Sequence, residues 1–140
     1  MSMAALRRYH PEPLEQDEQI ALFRWAAYAA GQYPQLANMY HVPNGGKRTR
    51  FEAGLFKAMG VKPGVPDIVL DWPAGGFHGL RIELKRAHGG RIETAQGEWR
   101  KRLIEAGYCA VVCRGWDAAR QVIEDYLCGK LTRENTGSTD

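Results

Sequence analysis

At 140 residues, with 44% apolar side chains and a net charge of +3, the chain has the length and composition for one domain with a real core. No apolar run approaches the roughly 18 to 20 residues a membrane-crossing helix needs, and the opening MSMAALRRYHPEP lacks the apolar stretch of a signal peptide, so a cytoplasmic protein with no membrane partner is expected. Cys109, Cys113 and Cys128 are an odd set without CxxC or Cys/His spacing, which argues against disulfides and zinc and for buried thiols.

Residues 1–14, broken by prolines, are expected to be a flexible N-terminal segment. EQDEQIALFRWAAYAAGQY then predicts an amphipathic helix with Ile20, Phe23 and Ala27 along the inward stripe, widened by Leu22 and Trp25 and ended by Gly31 and Pro34. HVPNGGKRTR is a loop by its Pro-Asn-Gly-Gly content, and FEAGLFKAMG a short helix closed by Gly60. VPDIVLD and GLRIELK read as strands joined by a Pro/Gly turn that allows a hairpin. ETAQGEWRKRLIEAG is a helix with Trp99, Leu103 and Ile104 inward. YCAVVC is a buried strand with Cys109 and Cys113 on one face, and WDAARQVIEDYLCGK is a closing helix. Residues 131–140 are a polar, frayed tail, which leaves 15–130 as the folded domain. This order predicts an α/β domain: a mixed central sheet flanked by helices, with the helix between the second and third strands as a crossover.

Charge is unevenly spread. Between Asn44 and Arg102 twelve Lys or Arg stand against six Asp or Glu, about +6, so the flanks together are acidic. Inside this basic segment, two short apolar strands carry Asp67, Glu83 and Lys85, where a core would take valine. Glu83 and Lys85 are two apart on a strand and leave the same face, while Ile82 and Leu84 point the other way. Asp67, at the start of the neighbouring strand, can stand beside Glu83. Adjacent carboxylates repel unless a cation lies between them, and oxygen ligands with open water positions suit Mg²⁺ or Mn²⁺. Lys85 could then hold a water against a phosphate. The same residues are also compatible with a turn capped by Asp67 after Pro66 and an ordinary Glu83–Lys85 ion pair. The preceding helix offers Glu15 and Glu18 on one face.

Pro66-Asp67 followed by Glu83-Leu84-Lys85 looks like the PD-(D/E)xK nuclease signature. More narrowly, HVPNGGKR, LFKAMGVKPGVPDIVL, GLRIELKR, RIETAQGEW and AGYCAVVCRGWDAA, in that order between Glu15 and Leu127, resemble a stand-alone VRR-NUC domain of the kind found in phages and prophages. The resemblance implies a restriction-endonuclease-like fold and metal-dependent phosphodiester hydrolysis. It implies Asp67 and Glu83 as metal ligands, the Leu84 backbone carbonyl completing the protein's share, and Lys85 as the catalytic lysine. It aligns the N-terminal acidic residue with Glu18, acting through water, with Glu15 as the alternative, and it matches Gln96 to the family glutamine. Glu93 and Thr94 depart from the pattern of relatives. Small members resemble Holliday junction resolvases and act as homodimers on branched DNA, which suits paired cuts.

Asn44, Gly45 and the neighbouring glycine could present backbone N–H groups to a phosphate, with Lys47, Arg48 and Arg50 neutralising the strand and Arg86, Arg91 and Lys101 extending the track. His41, His78 and His88 lack metal-ligand spacing, and His41 is expected to hydrogen-bond at the base of its loop. Trp25, Trp99 and Trp116 are expected in the core, while Trp72 and Phe77 at the hairpin turn either pack or stand as an exposed pair open to a dimer or DNA-wedge contact. Beside the resolvase stand two alternatives: a flap, nicking or site-specific endonuclease of the same fold, and a non-catalytic DNA-binding module whose acidic residues are structural.

Overall fold

The computed structural model describes residues 14–43 and 49–136. In chain order these form α1 (Glu15–Ala29), a 3₁₀ turn (Pro34–Asn38), β1 (Met39–His41), α2 (Arg50–Ala58), β2 (Ile68–Leu70), β3 (Leu80–Lys85), α3 (Thr94–Glu105), β4 (Cys109–Arg114), α4 (Trp116–Leu127) and a short α5 (Arg133–Thr136). One four-stranded sheet runs in the order β1-β2-β3-β4. Its first two pairs are antiparallel and the β3–β4 pair parallel, so the sheet is mixed and α3 is the crossover, as the element order predicted. β1 is absent from the sequence reading because three residues, only one of them buried, leave no alternation to detect.

The core face of the sheet carries Ile68, Leu70, Leu80, Ile82, Leu84, Cys109 and Cys113, against which α1 and α4 pack. Leu22, Leu80 and Ile123 are wholly enclosed, each contributing about 1.5–3 kcal/mol of burial. Burial pushes the Cys109 thiol up to about 11 and the Cys113 thiol up to about 12, so both remain inert protonated fillers. Cys128, expected to be buried, is exposed.

The inward stripe of α1 is Glu18, Leu22, Ala26 and Ala29, while Ile20 and Ala27 face out. A stripe led by a glutamate does not register in a hydrophobic pattern, and this rotated the reading. α3 buries none of its residues: Trp99 is only half-buried and Ile104 is half-exposed, so the expected inward set is corrected. Trp25 and Trp116 do pack against the core.

The β2–β3 connection tightens at Gly75 and Gly76, whose φ values of 60° and 87° suit a turn that needs left-handed backbone at both central positions. Beyond it Phe77 turns into the core against Tyr126, ring centroids 6.1 Å apart, while Trp72 stays partly exposed, so the two alternatives left open for this pair are divided between its members. Residues 131–136, expected to fray, dock here: Leu131 packs on the core and Arg133 N donates to Gly75 O at 3.0 Å. No helix among the described residues is long and apolar enough to cross a membrane.

Candidate active site

The antiparallel register that pairs Ile68 with Ile82 carries Asp67 opposite Glu83 at the mouth of the β2–β3 ladder. Asp67 is fastened at both ends. Its carbonyl accepts from Val42 N at 2.8 Å and bonds His41 Nδ1 at 2.9 Å, while its Oδ2 accepts from Leu84 N at 2.9 Å. A carbonyl only accepts, so His41 Nδ1 carries the proton in that bond.

Glu83 and Lys85 are each only 6% exposed, an unusual depth for two charged groups on one strand face. Lys85 Nζ lies 3.6 Å from Glu83 Oε1 and 3.7 Å from Glu15 Oε1. Gln96, in the first turn of α3, donates from Nε2 to Glu83 Oε1 at 2.7 Å, and its own Oε1 accepts from Glu93 N at 2.8 Å. Glu93, one of the two departures from the family pattern, is therefore the N-cap of α3, and Gln96 closes that cap while holding the buried carboxylate.

Glu83 Oε2 is buried without a hydrogen-bond partner. Burial first and the Asp67 carboxylate second push the Glu83 carboxyl up to about 8, against the opposing pull of Lys85. These groups, with Leu84, line one cleft of about 410 Å³, whose far wall is Glu15, Gln16 and Gln19 of α1 and whose rim includes His41 and Pro43. Gln16 and Gln19 escaped the sequence reading; the available signal was their place beside Glu15 on one side of a helix, Gln19 at i+4.

Glu18 is elsewhere. Its Oε2 accepts from Trp116 N at 2.8 Å, satisfying an orphan donor at the start of α4, and Gly115 comes so close that a Cβ there would sit 3.1 Å from the carboxylate. Glu15, the alternative in the alignment, is the acidic residue of α1 that reaches the cleft. Arg50 opens α2 on the surface and Arg86 follows β3 with its guanidinium beside Gly89, both outside the cleft walls. Asn44, Gly45, Lys47 and Arg48 lie outside the described residues.

Among the described residues no three His, Cys, Asp or Glu side chains are arranged to hold a metal ion by themselves. A cation here would take two carboxylates at most, with backbone and water oxygens for the rest. That donor set fits a hard divalent ion such as Mg²⁺, which keeps several waters. The unpartnered Glu83 Oε2 and the apposition of Asp67 and Glu83, offset only in part by Lys85, are what such an ion would relieve.

The VRR-NUC domain family matches residues 14–117 of the chain. A solved structure described as a VRR-NUC domain protein is similar with a TM-score of 0.70 and 33% identity, over 84% of this chain and 91% of that one. No curated protein matches.

Proposed function

The chain belongs to the VRR-NUC family of nuclease domains, and on that premise we propose that it is a divalent-metal-dependent DNA endonuclease of the cytoplasm, selective for branched substrates in the manner of a Holliday junction resolvase and acting as a homodimer. The observation that carries the metal-dependent reading is the buried Glu83 carboxyl, its Oε2 without a hydrogen-bond partner, next to the Asp67 carboxyl and Lys85 Nζ. A carboxylate kept at that depth costs stability unless a cation completes its surroundings.

Asp67, Glu83 and the Leu84 carbonyl are the proposed holders of the metal. When bound, Mg²⁺ or Mn²⁺ supplies charge that polarises the scissile phosphate and makes water more acidic. Leu84 N and Gln96 Nε2 keep the two carboxylates in place, so little reorganisation is needed when substrate arrives. Lys85, held between Glu83 and Glu15, orients the attacking water and neutralises the phosphate oxygen it meets. Glu15, rather than Glu18, is the α1 residue we assign to the water network of the cleft.

DNA contact is assigned to Asn44, Gly45, Lys47 and Arg48 of the basic segment, which lie outside the described residues, with Arg50 and Arg86. Arg50 stands in the first turn of α2, where a cation opposes the helix dipole, so its presence is better accounted for by a phosphate than by helix stability. The homodimer is supported by α2, which buries none of its residues and shows Phe51, Leu55 and Met59 at i, i+4, i+8 on one side. Antiparallel two-fold apposition about Leu55 would bring Glu52 of each copy toward the Lys57 end of the other.

A labelled panel of four-way junction, flap, linear duplex and single strand, with Mg²⁺ or Mn²⁺, tests the reading. Paired symmetric nicks in the junction are expected. Preferential cutting of flaps or linear duplex would replace the substrate assignment, and binding without metal-dependent cleavage would replace the enzyme with a DNA-binding module.

A further inference from the structure

We propose that a second cavity, of about 230 Å³ and walled by Lys62, Pro63, Ala95, Glu98, Trp99 and Arg102, is a seat for a single unpaired nucleobase of the DNA strand entering the cleft. The inference rests on the nuclease reading and adds a ligand subsite to it. No residue lines both the cavity and the active cleft, but the same two segments lead from one to the other. Lys62 and Pro63 begin the loop that delivers Asp67, and Ala95 immediately precedes Gln96 on α3. Trp99 follows Gln96 by three residues, about 4.5 Å along the helix axis. Loop and helix are in backbone contact: Gly64 has φ +85°, and a Cβ there would lie 2.4 Å from the Ala95 carbonyl carbon. The seat and the cleft therefore hold a fixed spacing.

The lining is chemically complementary to a nucleotide. Trp99 is half-buried yet lies outside the core cluster, so its indole is not consumed by packing. The Arg102 guanidinium lies over the ring, 4.7 Å from its centroid, and covers one face, which leaves a base the opposite indole face or the outer face of the guanidinium. Glu98 offers an acceptor for an exocyclic base amino group, and Lys62 a cation for the adjoining phosphate. Among the described residues neither is engaged in a hydrogen bond or ion pair. The volume falls below the roughly 300–1,000 Å³ of sites for drug-sized ligands, which fits one ring system rather than a base pair. Bases within a duplex keep their faces stacked, so the occupant is a nucleotide already unpaired or extruded near the cut. Branch points and flaps supply such nucleotides.

The test uses the full chain and whichever DNA the wild type cuts fastest, with one 2-aminopurine moved nucleotide by nucleotide across the cut, read by fluorescence in Ca²⁺ and by cleavage in Mg²⁺. Emission at one position is expected to change on binding. Trp99→Ala should abolish that response and weaken binding about tenfold, the usual loss of one base–aromatic stack. Trp99→Leu, which keeps apolar bulk without a π-face, should behave like the alanine variant, while Trp99→Phe retains the signal and binds within about threefold. An emission change that survives in both Trp99→Ala and Trp99→Leu, or no responsive position in a wild-type protein that cuts DNA, would overturn the seat. A wild type that neither binds nor cuts DNA would overturn the nuclease reading and the seat with it.

Discussion

Gln96 Nε2 and Glu83 Oε1 are joined by a 2.7 Å hydrogen bond that ties the first turn of α3 to the centre of β3. Because the other end of the same amide caps α3 through Glu93 N, one side chain serves both the helix and the cleft. Gln96→Ala is expected to lower melting stability by about 1 kcal/mol, as loss of a cap does, and to cost cleavage much more, about ten- to a hundredfold. Thermal unfolding and cleavage rate on one preparation separate the two effects; equal, small losses in both would reduce Gln96 to a cap.

The Glu83 carboxyl gives the metal-free protein a distinctive pH response. Its value in the fold is raised to about 8 from an ordinary 4.5, with burial the main cause and Asp67 the next. The folded chain therefore keeps a proton that the unfolded chain has released. The stabilising contribution is fully present below about pH 4.5 and is lost as pH rises through about 8. Without metal, melting temperature should fall across that window in the wild type, and Glu83→Gln should flatten the fall. Mn²⁺ should raise the wild-type melting temperature more at pH 8.5 than at pH 6.5, since binding competes with that proton. A metal-induced gain independent of pH would argue that Glu83 is not a ligand.

Glu15 and Glu18 separate activity from stability. Glu18→Ala leaves Trp116 N and the start of α4 unsatisfied and should cost about 1–3 kcal/mol of stability, with the cleavage rate of the folded fraction little changed. Glu15→Gln, at a half-exposed position on the cleft wall, should leave unfolding unchanged and slow cleavage. Circular dichroism melts beside single-turnover assays give the comparison, and the reverse pattern would restore the assignment to Glu18.

The exposed row on α2 makes a prediction about assembly. Leu55→Glu should convert a dimer to a monomer in sedimentation without loss of thermal stability, because nothing on α2 is buried within one copy. A wild type that sediments as a monomer at tens of micromolar would remove the dimer from the proposal.

Much of this was readable in the residues because the informative positions break a pattern. Asp67, Glu83 and Lys85 interrupt apolar strands, and strand periodicity puts them on one side, where the structure has them; the alternative of a capped turn and an ordinary ion pair stood open on the same residues. What stayed hidden depended on contacts between distant segments. Glu18 was the acidic residue the family resemblance aligned with the cleft, but its partner is the backbone of Trp116, far along the chain. β1 owes its existence to pairing with β2 and not to its own three residues. Trp99 and Ile104 matched an inward helical stripe, yet α3 lies against the sheet without burying any residue. Phe77 and Trp72 stood equally at the turn until Tyr126 took one of them into the core.

Whether Asp67 and Glu83 hold the metal on which cleavage depends is decided by assaying wild type, Asp67→Ala and Glu83→Ala on labelled four-way junction in Mg²⁺ and in EDTA, with folding of each variant checked by its melt. The wild type should cleave in Mg²⁺ alone, and neither folded variant should cleave at any metal concentration. Cleavage by either variant at the wild-type rate, or by the wild type in EDTA, would rule out this pair as the metal's holders.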